Sequence, residues 1–250
     1  MSYELVHPVA QRTSVFDEYI NEETKDIDLS YIKFNETLNK DVFDGEKIKD
    51  SVRKLLIQIV DYFMTSIDSD VIISDVTLTG SIVNYNYNKY SDIDIHIIID
   101  KNDYKTDEEY DNVYELLSAK AKIWNFEHEN IKLFDHNIEI YIQEIDERHR
   151  STGVYDIIQN KWIKKPIKEY KEIDKEFLKK KLNSIIYKIN KVLETDDLDT
   201  VVNFIDNLKL YRTRGLETEG EYSYENLIYK YIKHNKYIEN LINLKRKLSI

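Results

Sequence analysis

Residues 78–100 read LTGSIVNYNYNKYSDIDIHIIID. The stretch closes one strand on Gly80-Ser81, passes through a short helix or loop, and enters a second strand near Ser91. From there polar and apolar residues alternate. Asp92, Asp94 and His96 fall on one face, and Ile93, Ile95 and Ile97 on the other. Period two sets the two carboxylates side by side, about 6.6–7 Å apart at Cα. The isoleucine face needs a core beneath it, and this is the most buried-looking strand in the chain.

Outward from this stretch, EKIKDSVRKLLIQIVDYFMTSI places Ile48, Val52, Leu55, Leu56, Ile59, Val60 and Phe63 on one stripe at three-and-four spacing, which predicts an amphipathic helix. VIISDVTLTG predicts a strand, TDEEYDNVYELLSAKAKIWNFEH a helix, and HNIEIYIQEI a second alternating strand. STGVYDIIQNKWIKK reads as a short helix and turn ending at Pro166. Beyond Pro166 three segments carry helical spacing only, the last running unbroken from Ser223 to Leu248. Asp174 and Ser223 are the expected N-caps, and Gly215 and Gly220 are expected to bracket the turn before the last helix. The expected organisation is an arm over residues 1–30, a mixed α+β domain over 31–165 and a helical bundle over 166–250.

Composition narrows the class. Five glycines and two prolines compare with roughly thirty at average usage. So few breakers exclude a small all-β sandwich or barrel, which needs a turn signal every 8–12 residues or so. The absence of cysteine excludes disulfides, Cys-based zinc sites and a thiolate nucleophile. The N-terminus lacks the basic and apolar regions of a signal peptide, and no apolar run reaches the length of a membrane span, so a cytoplasmic location is expected. The net charge of −11 speaks against a surface coated for nucleic acid. Charge is uneven, however: Lys161–Lys191 is net +7 and Lys230–Ile250 net +5, while the acids gather upstream around Asp92 and Asp94.

Paired carboxylates on one strand face can bridge two Mg²⁺ ions about 3.5–4 Å apart, the spacing used for in-line displacement at phosphorus. A third acid from a neighbouring strand completes such a set, and Glu139, in the polar row of HNIEIYIQ with Tyr141 and Gln143, is the candidate. Gly80 lets a phosphate approach the backbone, and the Ser81 hydroxyl can donate to a phosphate oxygen. Gly-Ser alone also fits an ordinary turn and N-cap, and Glu139 alone also fits a solvated strand face, whereas two solvent-facing charges fit the buried-looking strand of Asp92 and Asp94 poorly.

Gly-Ser, ten residues, Asp-Ile-Asp and an acid on a later strand together resemble the nucleotidyltransferase superfamily typified by DNA polymerase β. FNETLNKDVFDGEKIKDSVRKLLIQIVDYF, AKAKIWNFEH, EIYIQEIDERHRSTGVYDIIQNKWIKKP and GEYSYENLIYKYI are similar to nucleotidyltransferase-like sequences of large bacteriophages, which extends the resemblance over most of the chain from about residue 34. The resemblance implies a small mixed sheet with flanking helices, followed here by the helical bundle. It implies that Gly80 and Ser81 hold the triphosphate of a nucleoside triphosphate such as ATP. It implies that Asp92, Asp94 and Glu139 hold two Mg²⁺ or Mn²⁺ ions, with Glu139 nearest the attacking group. The third acid departs from the aspartate found in many members. The nucleotide is expected between the sheet and the C-terminal helices. The acceptor stays open among an RNA 3′ end, a protein hydroxyl and a small molecule, and a non-catalytic nucleotide-binding or host-interaction protein is the rival class.

Other residues carry two readings. Trp124, Asn125 and His128 either frame a base pocket or pack a helix end onto the sheet, and packing is preferred. Ser151-Thr152-Gly153 either holds phosphate or caps a helix. Lys164, Lys165, Arg212 and Arg214 either reach phosphate or are solvated. Tyr85, Tyr87 and Tyr90 either stack on a base or reflect the twenty tyrosines of the chain.

Overall fold

The computed structural model describes residues 27–67, 71–149, 151–168 and 170–249. The arm expected over residues 1–30 therefore lies almost wholly outside the described residues. A hairpin comes first, β1 (Phe43–Asp44) and β2 (Lys47–Ile48), turning on Gly45 at φ +60°. Helix α1 (Asp50–Thr65) buries Val52, Leu56, Val60 and Phe63 of the predicted stripe; Leu55, expected on it, is 42% exposed, and Ile48 belongs to β2. Strand β3 (Asp75–Thr79) runs antiparallel to β4 (Ile93–Ile99). Helix α2 (Asp107–Glu127) then carries the chain over to β5 (Lys132–Leu133) and β6 (His136–Glu144). β6 lies parallel to β4, which a crossover helix makes feasible. The mixed sheet is completed by β7 (Val154–Asp156) and β8 (Lys161–Lys164), in the order β5-β6-β4-β3-β7-β8.

One face of this sheet is the core. Ile93, Ile95, Ile97 and Ile99 are at most 1% exposed, and they pack with Ile138, Ile140, Val76, Leu78, Tyr155 and the buried sides of α1 and α2. The even-numbered residues of β4 point the other way by strand alternation, so apolar burial on one face sets the direction of the acids on the other.

The chain divides into two compact units, with boundaries inside two helices. The sheet unit comprises Ser30–Glu172 and Leu210–Leu227. The helical unit takes Ile173–Lys209 and the chain from Ile228 onward. Its elements are α3 (Lys175–Leu193), the first half of α4 (Leu198–Glu219), the end of α5 (Tyr224–His234) and α6 (Tyr237–Leu248). Leu178, Leu182, Ile186 and Ile189 of α3, Val201, Ile205 and Leu208 of α4, and Leu241 of α6 form its buried stripes. Asp174 caps α3 through Phe177 N at 2.9 Å, and Ser223 Oγ accepts from Asn226 N at 3.2 Å, as expected of both.

Three sequence expectations change. Residues 151–165 form no helix. They hold the β7–β8 hairpin, because Asn160 takes a positive φ of 55° in the turn and Tyr155 and Ile157 are fully buried. The last helix is broken in two at Asn235-Lys236, where Lys236 adopts φ 62°. Gly215 sits within α4 and brackets no turn; a Cβ there would lie 2.5 Å from Glu225 Cβ and 2.7 Å from Ser223 Oγ, so the start of α5 packs where a side chain would stand. Gly220, at φ +73°, makes the turn alone. The short helix or loop expected after Gly80 is a single three-residue 3₁₀ turn, Ser81–Val83. So short a turn carries little helix dipole toward an anion.

Candidate active site

The register of three strands assembles the candidate residues. Thr79 of β3 pairs with Asp94 of β4, and Asp94 pairs with Glu139 of the parallel strand β6. Paired residues project to the same side of a sheet, so Asp94 and Glu139 are neighbours on the polar face. Asp92 stands directly before β4 and shares that face by alternation. The sequence-predicted acids are thereby brought to one end of two adjacent strands.

Gly80 follows β3 at φ +79°, ψ −166°, a conformation that only glycine adopts readily. An added Cβ would lie 2.0 Å from Asp94 Oδ2. Gly80 thus admits the carboxylate of Asp94 against its own backbone, a task that its sequence position does not reveal. Asn84 Nδ2 holds the Gly80 carbonyl at 2.6 Å, and Thr152 Oγ1 donates to Asn84 Oδ1 at 2.6 Å. Ser151 Oγ accepts from Asn84 Nδ2 at 3.2 Å. Ser151-Thr152-Gly153 therefore braces the Gly80 turn and caps no helix. Gly153 is needed there because a Cβ would meet Val83 O at 2.5 Å.

Ser91, beside Asp92, is tied at every polar atom. Its N–H donates to Asn88 O at 3.0 Å, and its carbonyl accepts from His136 Nδ1 at 2.6 Å. Its Oγ accepts from Ser81 Oγ at 2.8 Å and from Asn88 N at 3.0 Å. The Ser81 hydroxyl thus links the Gly80 turn to the head of β4. Asn84, Asn88, Ser91 and His136 were not singled out by sequence reasoning. The signal for the asparagines was the alternation in NYNYN, where the asparagine side chains, not the tyrosines, are buried.

Behind the acids lies a second polar row. His96 pairs with Tyr141 across β4 and β6, with ring centroids 5.2 Å apart. His96 Nδ1 donates to Gln143 Oε1 at 2.6 Å, and Gln143 Nε2 donates to Glu147 O at 3.0 Å. An amide oxygen only accepts, so Nδ1 carries the proton. Burial lowers His96 to about 4, against the opposing Gln143 hydrogen bond, so the imidazole is neutral at pH 7. Tyr141 Oη donates to Glu139 Oε2. Burial first, and then the charges of Glu139, Asp94 and Asp92, push the Tyr141 phenol far above its ordinary value. Sequence reading places Tyr141 and Gln143 beside Glu139 without giving either a task.

The remaining candidates have the following partners within the chain. Trp124 is buried and stacked on His128 at 4.6 Å, and the Asn125 amide takes both backbone groups of Ile140, at 2.8 and 2.9 Å. That amide replaces a neighbouring strand on the open edge of β6. Lys164 Nζ donates to Ser151 O at 3.0 Å, and Lys165 pairs with Glu46 at 2.5 Å. Arg212 Nε donates to Asn226 Oδ1 at 3.2 Å, and the exposed Arg214 contributes its carbonyl to Thr218. Tyr85 and Tyr87 lend their carbonyls to Asn35, while Tyr90 stays exposed with Lys89 over its ring.

The acids form a hard, oxygen-only donor set, which suits Mg²⁺ or Mn²⁺ and not zinc or copper. Among the described residues no three His, Asp or Glu side chains form a ready-made cage. Mg²⁺ is usually held by one or two carboxylates together with substrate phosphates, so the residues fit a metal that arrives with its nucleotide.

A family model described as a nucleotidyltransferase domain matches residues 56–181, half of the chain. That segment contains Gly80, Ser81, Asp92, Asp94 and Glu139. No curated protein and no solved structure matches the chain.

Proposed function

As the chain belongs to the nucleotidyltransferase domain family, whose members act on nucleotides and commonly use divalent metals, we propose that it transfers a nucleoside monophosphate from a nucleoside triphosphate to an acceptor hydroxyl, releasing pyrophosphate. The observation that carries this reading is the register that sets Asp94 opposite Glu139, with Asp92 on the same face. Asp92, Asp94 and Glu139 would hold divalent ions, which offset charge on the transferring phosphoryl group when bound. Gly80 and Ser81 would hold the triphosphate beside them. Ser81 would turn its hydroxyl from Ser91 to a phosphate oxygen, and Asn84 would keep the Gly80 backbone fixed while it does so. Glu139 would receive the proton of the attacking hydroxyl. Ser91 and His136 would keep the head of β4 from drifting as charge accumulates there.

The test is Mg²⁺-dependent pyrophosphate release from each of the four ribonucleoside triphosphates, with and without RNA. The wild type is expected to release pyrophosphate. Asp92→Asn/Asp94→Asn is expected to lose at least about 10²–10³-fold of the rate, the scale at which removal of a charge-stabilising group acts. Equal rates in the two proteins would overturn the assignment. Triphosphate binding with no release under any condition would support the rival, a nucleotide-binding protein without catalysis.

A further inference from the structure

The position at which a general base must meet its acceptor is already engaged by a hydroxyl of the chain itself. Tyr141 Oη donates to Glu139 Oε2, two residues away on the same face of β6. A candidate base has to lie within hydrogen-bond reach of the proton that it takes, and this pair satisfies that condition before any external acceptor arrives. The register sets Tyr141 opposite His96 and Glu139 opposite Asp94, so the phenol lies on the same polar face as the acids. Tyr141 as a residue is 40% exposed. Its ring leans on His96, which Gln143 holds in place.

We propose that Tyr141 is a site of self-nucleotidylylation: given a nucleoside triphosphate, the chain transfers the nucleoside monophosphate to its own Tyr141 hydroxyl. This rests on the nucleotidyltransferase reading and names an acceptor for it. Tyr141 Oη forms a bond to the α-phosphorus. The bond from that phosphorus to the oxygen bridging the β-phosphate breaks, and its electron pair leaves with pyrophosphate. The phenolic proton passes to Glu139 and then to solvent. Because the phenol already donates to Glu139, proton transfer can accompany the attack. The product is a tyrosine phosphodiester. It consumes the hydroxyl beside Glu139, so each chain turns over once at this residue.

The experiment incubates the full chain with MgCl₂ and each of the four ribonucleoside triphosphates. Intact mass and peptide mapping are read alongside equilibrium dialysis of the same triphosphates. The expected result is a gain of one nucleoside monophosphate per chain, mapped to Tyr141. It should be absent from Tyr141→Phe and reduced at least tenfold in Asp92→Asn/Asp94→Asn. Mapping in the wild type stands even if a variant fails to fold. Magnesium-dependent triphosphate binding with no adduct, or an adduct on another residue, overturns the proposal and leaves the nucleotidyltransferase reading intact. Neither binding nor adduct overturns both.

Discussion

The two faces of β4 are built from one run of seven residues and do opposite work. Ile93, Ile95, Ile97 and Ile99 lie in the core at no more than 1% exposure. On the other side Asp94 meets Gly80 and Glu139, and His96 meets Gln143 and Tyr141. The apolar face needs only hydrophobic shape, so its chemistry is replaceable and its loss is a loss of stability. The polar face needs named partners at named atoms, so under the proposed function its loss would be a loss of chemistry. Substitutions on the two faces are therefore expected to separate.

The largest effect is expected from the core. Ile95→Ala should cost about 2–5 kcal/mol, the range for removing a buried isoleucine side chain. Asp94→Asn should cost less than about 1 kcal/mol, because the side chain keeps its size. Urea denaturation of both variants checks the contrast, and similar losses would erase the distinction between the faces.

Gly80→Ala probes the contact between the turn and the polar face. The backbone at φ +79° and the 2.0 Å overlap with Asp94 Oδ2 both oppose a methyl group. A cost of about 1–3 kcal/mol is expected from backbone strain. Displacement of Asp94 should also lower pyrophosphate release at least tenfold. Unaltered release in a folded Gly80→Ala protein would show that Asp94 need not lie against this glycine.

A smaller effect follows from His96. Its folded value of about 4 lies below the ordinary 6.5, so the folded state disfavours the proton. The stability it contributes is full above pH 6.5 and is lost as the pH falls towards 4. Between pH 7 and pH 5 the loss is about 2 kcal/mol at most. His96→Gln should flatten denaturation midpoints over that window, and an unchanged slope would refute the burial argument.

What the sequence made legible follows the same division. Alternation in β4 and β6, most of the stripe of α1 and the helical spacing of α3 were readable because burial imposes a period. The β7–β8 hairpin was not, since GVYDIIQN carries no clear alternation and its turn depends on Asn160 at positive φ. The break at Asn235-Lys236 escaped notice because neither residue is Gly or Pro. At the site, acids on one strand announce themselves by spacing. Ser91, Asn84 and His136 act through bonds that span up to 68 residues in sequence, as Thr152 to Asn84 does, and no local pattern marks such bonds.

The central claim is that the polar face of β4 and β6, with the Gly80 turn, is where the nucleotide and its metal bind. The most direct measurement is paramagnetic broadening of backbone amide resonances by Mn²⁺ added together with a nucleoside triphosphate. Broadening centred on Gly80, Ser81, Asp92–Asp94 and Ile138–Tyr141, and abolished in Asp92→Asn/Asp94→Asn, is the predicted result. Broadening centred elsewhere, or unchanged in that variant, would contradict it.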